Sequence, residues 1–293
     1  MKRLIIFILC AASLLLSSCK GSDGEKSESK NETTAVLFSS LAEIWTEAGG
    51  KVDITVRETV NRGFADENAI LCDTGAGKQI NAELLFSAEP GLIIYSPDIP
   101  AQAEVARLAE KNGIPTMGLR VESFSDYLSA LRQMTELTGR NDIYEKTAKD
   151  MGQAIEKLIS DAENEDFYGK KILFMRAGST LASTKSKKTE EHFAAAMLYD
   201  LGCVNIADGA PFSELGAEAI LEAAPDFIFI SLMGNEEAAR KNVEELLSSP
   251  TWSSLSAVKE GRTFILPSEL FHYKPCSRWD EAYEYLFKVL KEE

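Results

Sequence analysis

The sequence predicts an α/β protein: two Rossmann-like βα lobes joined by one long helix, with a cleft between the lobes. Three observations carry the prediction. From Ala35 onward, short apolar runs alternate with helical stretches, the pattern of βα units around parallel sheets. A segment running from Asn81 to Ser96 returns without a gap as Gly216 to Ser231. Between the two copies lies an uninterrupted amphipathic stretch, Asn141 to Ala162.

Taken in chain order, the first segment stands outside the fold. Lys2 and Arg3 precede an apolar run, Leu4 to Leu16, that is shorter than the roughly 20 residues a spanning helix needs, so residues 1–19 read as an export signal. The run ends in Leu16-Ser17-Ser18-Cys19, which resembles the bacterial lipobox, where small residues precede a cysteine that is lipidated and becomes the new N-terminus. Its removal takes away Lys2 and Arg3 and deepens the acid excess. Residues 20–34 form a Gly/Ser/Glu/Lys tether whose composition supports no packed core.

The body then divides into an N-terminal lobe over 35–139, a linking helix over 140–165 and a C-terminal lobe over 166–293. Thr34 to Phe38 reads as a strand, Leu41 to Ala48 as a helix stopped by Gly49-Gly50, and Val52 to Val56 as the next strand. Leu92 to Tyr95 and Ile114 to Met117 are further strands, separated by a helix over about Ala101 to Asn112. Lys171 to Met175, Val204 to Ile206, Phe227 to Ser231 and Thr263 to Leu266 supply a second sheet. In each copy of the repeated segment a helix carrying Ala-Glu ends at a proline and enters a strand that finishes in Ser. Gly50 to Ile54 echoes Gly202 to Ile206 more weakly. In the linking stretch, Ile143, Thr147, Met151, Ala154, Ile155, Leu158, Ile159 and Ala162 make one stripe, and a helix of about 22 residues is ~33 Å long. One stiff crossover of that kind permits little hinge motion.

Composition narrows the function. Of 293 residues, 31 are Lys or Arg and 46 Asp or Glu, and the resulting charge of −15 excludes a nucleic-acid partner, which needs a basic face. Two histidines and five cysteines weaken any site built from three imidazoles or four thiolates. With Cys10 lost in the signal and Cys19 lipidated, Cys72, Cys203 and Cys276 remain, an odd number. Outside the cytoplasm thiols pair or lie buried. Cys203, between Gly202 and Val204, is expected as a small buried residue, while Cys72 and Cys276 are each either a free thiol or half of a disulfide.

Lipobox, two βα lobes and one long linking helix together resemble the substrate-binding lipoproteins of bacterial ABC importers for iron–siderophore, haem and cobalamin. The more specific pieces are Glu89-Pro90-Gly91-Leu92-Ile93-Ile94, Gly113-Ile114-Pro115, Leu137-Thr138-Gly139-Arg140 opening the linking helix, the run from Ser249 to Arg262, and the strand Thr263 to Pro267. The resemblance implies a periplasmic-binding-protein architecture. It also implies a monomer held on the extracytoplasmic side of a membrane by its lipid, with an ABC permease and its ATPase as partners and no cofactor of its own. In such proteins a glutamate at the tip of each lobe docks onto permease arginines; the matching positions are Glu83 and Glu218.

In open α/β sheets ligands bind beyond the carboxyl ends of the strands, so the cleft should draw on the loops there. Those loops supply Ser39, Ser40, Lys78, Tyr95, Arg120, Arg176, Met233, His272, Tyr273 and Lys274 as candidate ligand contacts. Arg176 follows a strand and suits an anionic chelate; His272-Tyr273-Lys274 offers a metal ligand, a phenol and a cation in a row. Tyr95 either lines the cleft or finishes a buried strand, and His192, in an amphipathic helix over Glu190 to Leu201, is expected to be structural. The scarcity of histidine favours a preformed iron or cobalt chelate over a bare metal ion. Because the loop before Glu83 lacks the tyrosine that several haem-binding relatives carry, iron–siderophore is the first expectation, followed by haem or cobalamin, with an oxyanion also open. An alternative class is a lipoprotein hydrolase: Ile70-Leu71-Cys72-Asp73-Thr74-Gly75-Ala76 resembles an aspartic-protease signature, with Asp73 as the acid, but no second Asp-Thr-Gly follows. Gly75-Ala76-Gly77-Lys78 fails as a phosphate loop, since Cys72 stands where its first glycine belongs and Gln79 where its Ser/Thr belongs.

Overall fold

The computed structural model of the protein describes residues 33–73, 79–209 and 216–292. The export signal with Cys10, the lipidation site Cys19, nearly all of the tether, and Lys78 lie outside the described residues.

The first sheet has five parallel strands, β1 (Thr34–Val36), β2 (Ile54–Thr55), β3 (Ile70–Leu71), β4 (Leu92–Tyr95) and β5 (Thr116–Gly118), in the order β3-β2-β1-β4-β5. Its helices are α1 (Ser39–Glu47), α2 (Arg57–Asn61), α3 (Ala82–Ser87), α4 (Pro100–Lys111) and α5 (Phe124–Thr138). After α6 (Asn141–Ala162) comes the second sheet, formed by β6 (Lys171–Ala177), β7 (Lys185–Ser186), β8 (Val204–Asn205), β9 (Phe227–Leu232) and β10 (Thr263–Ile265). Its order is β10-β9-β6-β7, with β8 also on β6 and only β7 antiparallel. The remaining helices are α7 (Phe193–Asp200), α8 (Ala217–Ala223), α9 (Glu236–Ser248), α10 (Ser256–Lys259), α11 (Ser268–Phe271) and α12 (Trp279–Lys291).

The repeated segment is one module used twice. It gives α3 and β4 in the first lobe, α8 and β9 in the second, and β4 neighbours β1 and β5 as β9 neighbours β6 and β10. Register agrees as well: Thr34 faces Leu92 as Ile172 faces Phe227, and Leu92 and Phe227 are the positions that the sequence repeat equates.

Several expectations need correction. Leu137 and Thr138 do not open the linking helix but close α5, which starts at a Ser123–Asp126 capping box and stops at Gly139, whose φ of 72° lies in the left-handed region. The long helix runs over Asn141–Ala162, the stretch that the apolar stripe marks. His192 is not inside a helix: it follows a 3₁₀ turn, Thr189–Glu191, and caps α7 in extended backbone. Arg176 lies within β6 rather than after it. Cys72, Cys203 and Cys276 are all free and buried.

Alternation along the strands assigns two faces to each sheet. Ile93 packs outward against α3 and α4, Leu173 and Met175 outward against α8 and α9, whereas Val36, Ile94, Ile172 and Phe174 share one central core with α1, α5, α6, α7 and α12. The C-terminal segment reinforces that core, because Trp279 packs beside Phe124 and Tyr127 of the first lobe and Phe193 of the second.

Candidate functional site

Between the lobes lies a cavity of about 450 Å³. Its walls are the carboxyl ends of the strands: Leu37 and Phe38 past β1, Val56 past β2, Ser96 past β4 and Leu119 past β5, facing Arg176 on β6 and the turn from His272 to Lys274 past α11. A parallel sheet sends every strand end to the same edge, so two such sheets facing each other gather these side chains by topology. A second cavity of about 470 Å³, lined by Met175, Leu246 and Trp252 among others, lies on the outer face of the C-terminal sheet and receives nothing from the first lobe.

Each charged side chain of the interlobe cavity has an ion pair or a hydrogen bond among the described residues, with one exception. Asp98 pairs with Arg120 at 3.0 Å. Glu58 accepts a hydrogen bond from the Ser39 hydroxyl at 2.6 Å, and Arg62 donates to that hydroxyl at 3.1 Å while pairing with Glu43 at 2.6 Å. The Arg62 guanidinium also stacks on Phe64 and on Tyr273, 4.8 and 4.1 Å from the ring centres. The Glu191 carboxylate accepts from the Lys188 backbone N–H at 2.9 Å. Glu122 and Lys274 form an ion pair across the lobes. Arg176 alone has no hydrogen bond or ion pair among the described residues, and its Nε is buried without a partner. Burial lowers the Arg176 pKa, against a through-space pull from Glu122. A guanidinium whose Nε is buried without a hydrogen-bond acceptor is costly, so an anion entering here gains a strong interaction.

His192 stands beside it, 8% exposed, with its ring 4.7 Å from Phe174 and 4.5 Å from Phe193. Its Nδ1 accepts the Ala194 N–H at 3.2 Å, and burial, then Arg176, Lys274 and Lys187, hold its pKa well below the ordinary value. His272 presents Nδ1 to the Leu232 carbonyl at 3.2 Å; a carbonyl partner makes that nitrogen the donor and leaves Nε2 with its lone pair. Lys274 has its pKa lowered by burial, opposed by Glu122, and its ammonium lies 5.2 Å from the Phe193 ring.

Of the residues expected at the cleft, Ser40, Arg176, His272, Tyr273 and Lys274 line the cavity. Ser40 is 1% exposed and its hydroxyl has no partner. Four others do not line it. Ser39 is buried behind the wall and occupied by Glu58 and Arg62. Tyr95 faces the other side of its sheet, against Gly118, where an added Cβ would stand 2.9 Å from the ring. Arg120 is exposed on Asp98 at the rim, and Met233 packs toward Gly178. Sequence reasoning missed Glu58, Glu122, Glu191 and Phe193 at the cavity wall, and placed His192 inside a helix when it caps one, although its buried, ring-packed and capping position is the structural one expected. A single glutamate ahead of a capping box carries no signal of its own, whereas the extended backbone at His192 turns that ring toward the cleft. Glu83 and Glu218 are both exposed, in the first turns of α3 and α8.

Asp73 is placed elsewhere. It follows β3 on the edge of the parallel sheet, and its Oδ1 accepts the Arg57 N–H at 3.1 Å, holding the start of α2. Among the described residues no group of three or more His, Cys, Asp or Glu gathers to hold a metal ion, and no helix is long and apolar enough to cross a membrane.

A family model described as periplasmic binding protein matches residues 35–270. The iron-uptake system-binding protein of Bacillus subtilis (strain 168) is 23% identical over 197 residues, 66% of this chain and 60% of that protein, so the match spans less than two thirds of that relative. Among solved structures, an ABC transporter substrate-binding protein from Listeria monocytogenes EGD-e aligns with a TM-score of 0.70 at 15% identity, covering 89% of this chain and 99% of that one. Staphylococcus aureus IsdE complexed with heme gives 0.72 at 14% identity over 88% and 98% of the two chains. The periplasmic vitamin B12 binding protein BtuF of Vibrio cholerae gives 0.70 at 18% identity over 89% and 97%.

Proposed function

From the premise that this chain belongs to the periplasmic binding protein family, a family of binders and not of enzymes, we propose that it captures an anionic metal chelate between its lobes and delivers it to an ABC importer. The single observation that carries the ligand class is Arg176, the charged cavity residue without a partner among the described residues, with its Nε buried. A ferric siderophore bearing carboxylate or catecholate oxygens comes first, and haem, through its carboxylates, second. Cobalamin, whose corrin side chains are amides and whose single anionic group is the phosphodiester of its nucleotide loop, offers fewer anionic oxygens and ranks below both. A bare metal ion would require direct ligands, and the described residues gather no such set. Neither iron nor cobalt serves as a cofactor here; the metal arrives as part of the cargo.

In this reading the lobes over 35–139 and 166–293 flank the cleft, joined through 140–165, and the protein works as a monomer outside the cytoplasm, tethered through a lipid on Cys19. Glu83 and Glu218 hold equivalent places in the two lobes, each exposed in the turn that leads toward β4 or β9, which supports a role in docking a two-fold permease. Ligand capture is tested by titrating the purified chain with a ferric catecholate, ferric citrate, hemin and cyanocobalamin, following absorbance and the fluorescence of Trp45, Trp252 and Trp279. An iron chelate should bind, and Arg176→Ala should weaken it by at least about tenfold, the scale of a lost hydrogen bond to a charged group. Preference for cyanocobalamin, or unchanged affinity in Arg176→Ala, would overturn the assignment.

A further inference from the structure

We infer that Glu122 is an internal counter-anion of the cleft: its carboxylate occupies Lys274 beside Arg176, and an anionic ligand must displace it to bind. The inference rests on the anion-binding reading of the cavity and assigns a residue that sets its affinity.

Glu122 stands between β5 and α5, and its backbone N–H donates to the Asp126 carboxylate at 3.0 Å, which fixes the main chain and leaves the side chain free to turn. That side chain spans the cleft to the Lys274 ammonium in the opposite lobe. The two side chains are 30% and 17% exposed, so the contact is shielded but not sealed. Glu122 is also the carboxylate that supports the charge on Arg176 through space. It therefore serves both cations of the cleft without forming a hydrogen bond to Arg176.

The carboxylate also has a place to go. A neighbouring cavity of about 450 Å³ shares Glu122 and His192 with the interlobe cavity and adds Ser123, Lys188 and Thr189 as well as two carboxylates, Glu190 and Asp208, the latter already held by the Thr189 N–H and hydroxyl. Rotation about the Glu122 side chain moves its charge from Lys274 toward that second cavity with no backbone shift. An incoming carboxylate then takes over the Lys274 ammonium and gains the Arg176 guanidinium, which Glu122 does not reach. The incoming carboxylate replaces that of Glu122 at Lys274 and brings the first hydrogen-bonded anion to Arg176, so neither end of the process leaves both cations unpaired.

The test uses citrate, a metal-free tricarboxylate, titrated by calorimetry into the folded chain. Glu122→Gln should bind citrate roughly tenfold more tightly than the unsubstituted protein, the order expected when a competing charge-assisted contact is removed. Adding Lys274→Met should reverse the gain. Asp98→Asn removes the same charge from the same cavity, at the rim, and should change affinity by less than about threefold, because an exposed pair carries little. Where Glu122→Gln does not fold, Glu122→Asp keeps the charge but withdraws it by one methylene, and a smaller gain is expected. Equal or weaker citrate binding in the folded variant, or an equal gain in Asp98→Asn, would overturn the inference. Because the probe carries no iron, this outcome is separate from whether the unsubstituted chain binds a metal chelate.

Discussion

Replacing His192 with asparagine should flatten the acid side of the protein's stability profile. The imidazole is packed between Phe174 and Phe193 and faces Arg176, Lys274 and Lys187, so burial first and three cations second disfavour its protonated form. Its Nδ1 also accepts the Ala194 N–H, and protonation would destroy that cap. In the unfolded chain the same ring titrates near its ordinary 6.5. Below that pH the unfolded state binds a proton that the folded state refuses, so the contribution of His192 is fully present above 6.5 and is lost as pH falls toward the depressed folded value. Each unit of pH between 6.5 and the depressed folded value removes about 1.4 kcal/mol, which sets a ceiling of about 2 kcal/mol at about pH 5. Two other buried groups, Glu43 and Glu47, have raised pKa values through burial and act with the opposite sign, but both proteins carry them and they cancel in the difference. Asparagine keeps a capping acceptor while removing the titrating ring. Urea unfolding of both proteins between about pH 7.5 and about pH 5 should show the unsubstituted chain losing stability relative to His192→Asn as pH falls, by up to about 2 kcal/mol. A difference that does not change with pH would refute the placement of a neutral histidine beside Arg176 and Lys274.

Charge reversal at the lobe tips, Glu83→Lys together with Glu218→Lys, should abolish importer-coupled uptake in cells and leave chelate affinity of the purified protein intact; a loss of affinity would remove these residues from the docking role. The three described thiols should resist a disulfide reagent until the chain unfolds, since Cys72 and Cys203 are pushed up to about 12 by burial and Cys276 is held well above its ordinary value by burial first and Glu43 second. Rapid labelling of the folded protein at neutral pH would contradict that burial.

Much of the fold was readable because hydrophobic periodicity is a local signal. Leu92–Tyr95 and Asn141–Ala162 have the ends that the sequence suggests, since Pro90-Gly91 precedes the strand and Gly139 precedes the helix. The strands β3 and β7 are two residues each and lie at sheet edges, too short for any alternation to register. The site was readable in part, because strand ends can be found from the strands. Arg176, His272, Tyr273 and Lys274 follow from that rule, but which way a residue faces at a strand end depends on parity, and Tyr95 sits one step out of phase, on the face that covers α3 and α4. Pairings such as Glu122 with Lys274 join positions 152 residues apart, and no local pattern encodes them.

The division of the chain into two lobes also needs qualification by its packing. The central core runs from Val36 and Leu41 through Tyr127 and Met134 to Phe174 and Phe229 without a break between the sheets. Trp279, 1% exposed, has its ring 6.3 and 6.4 Å from those of Phe124 and Tyr127 and 6.0 Å from that of Phe193. Swinging the lobes apart as rigid bodies would pull this cluster open, at roughly 1.5–3 kcal/mol for each large apolar side chain returned to water. The contacts at the cleft itself are smaller: the part-buried, charge-assisted contact of Glu122 with Lys274 contributes about 1.5 kcal/mol, less than the opening of several such side chains would cost. Admission of a ligand should therefore proceed through exchange of rim side chains, with the core holding the strand ends at fixed spacing. Under the proposed function, such a cleft would discriminate among ligands by charge and shape at its surface, through Arg176, Lys274 and the Glu122 carboxylate, and not by movement of the lobes.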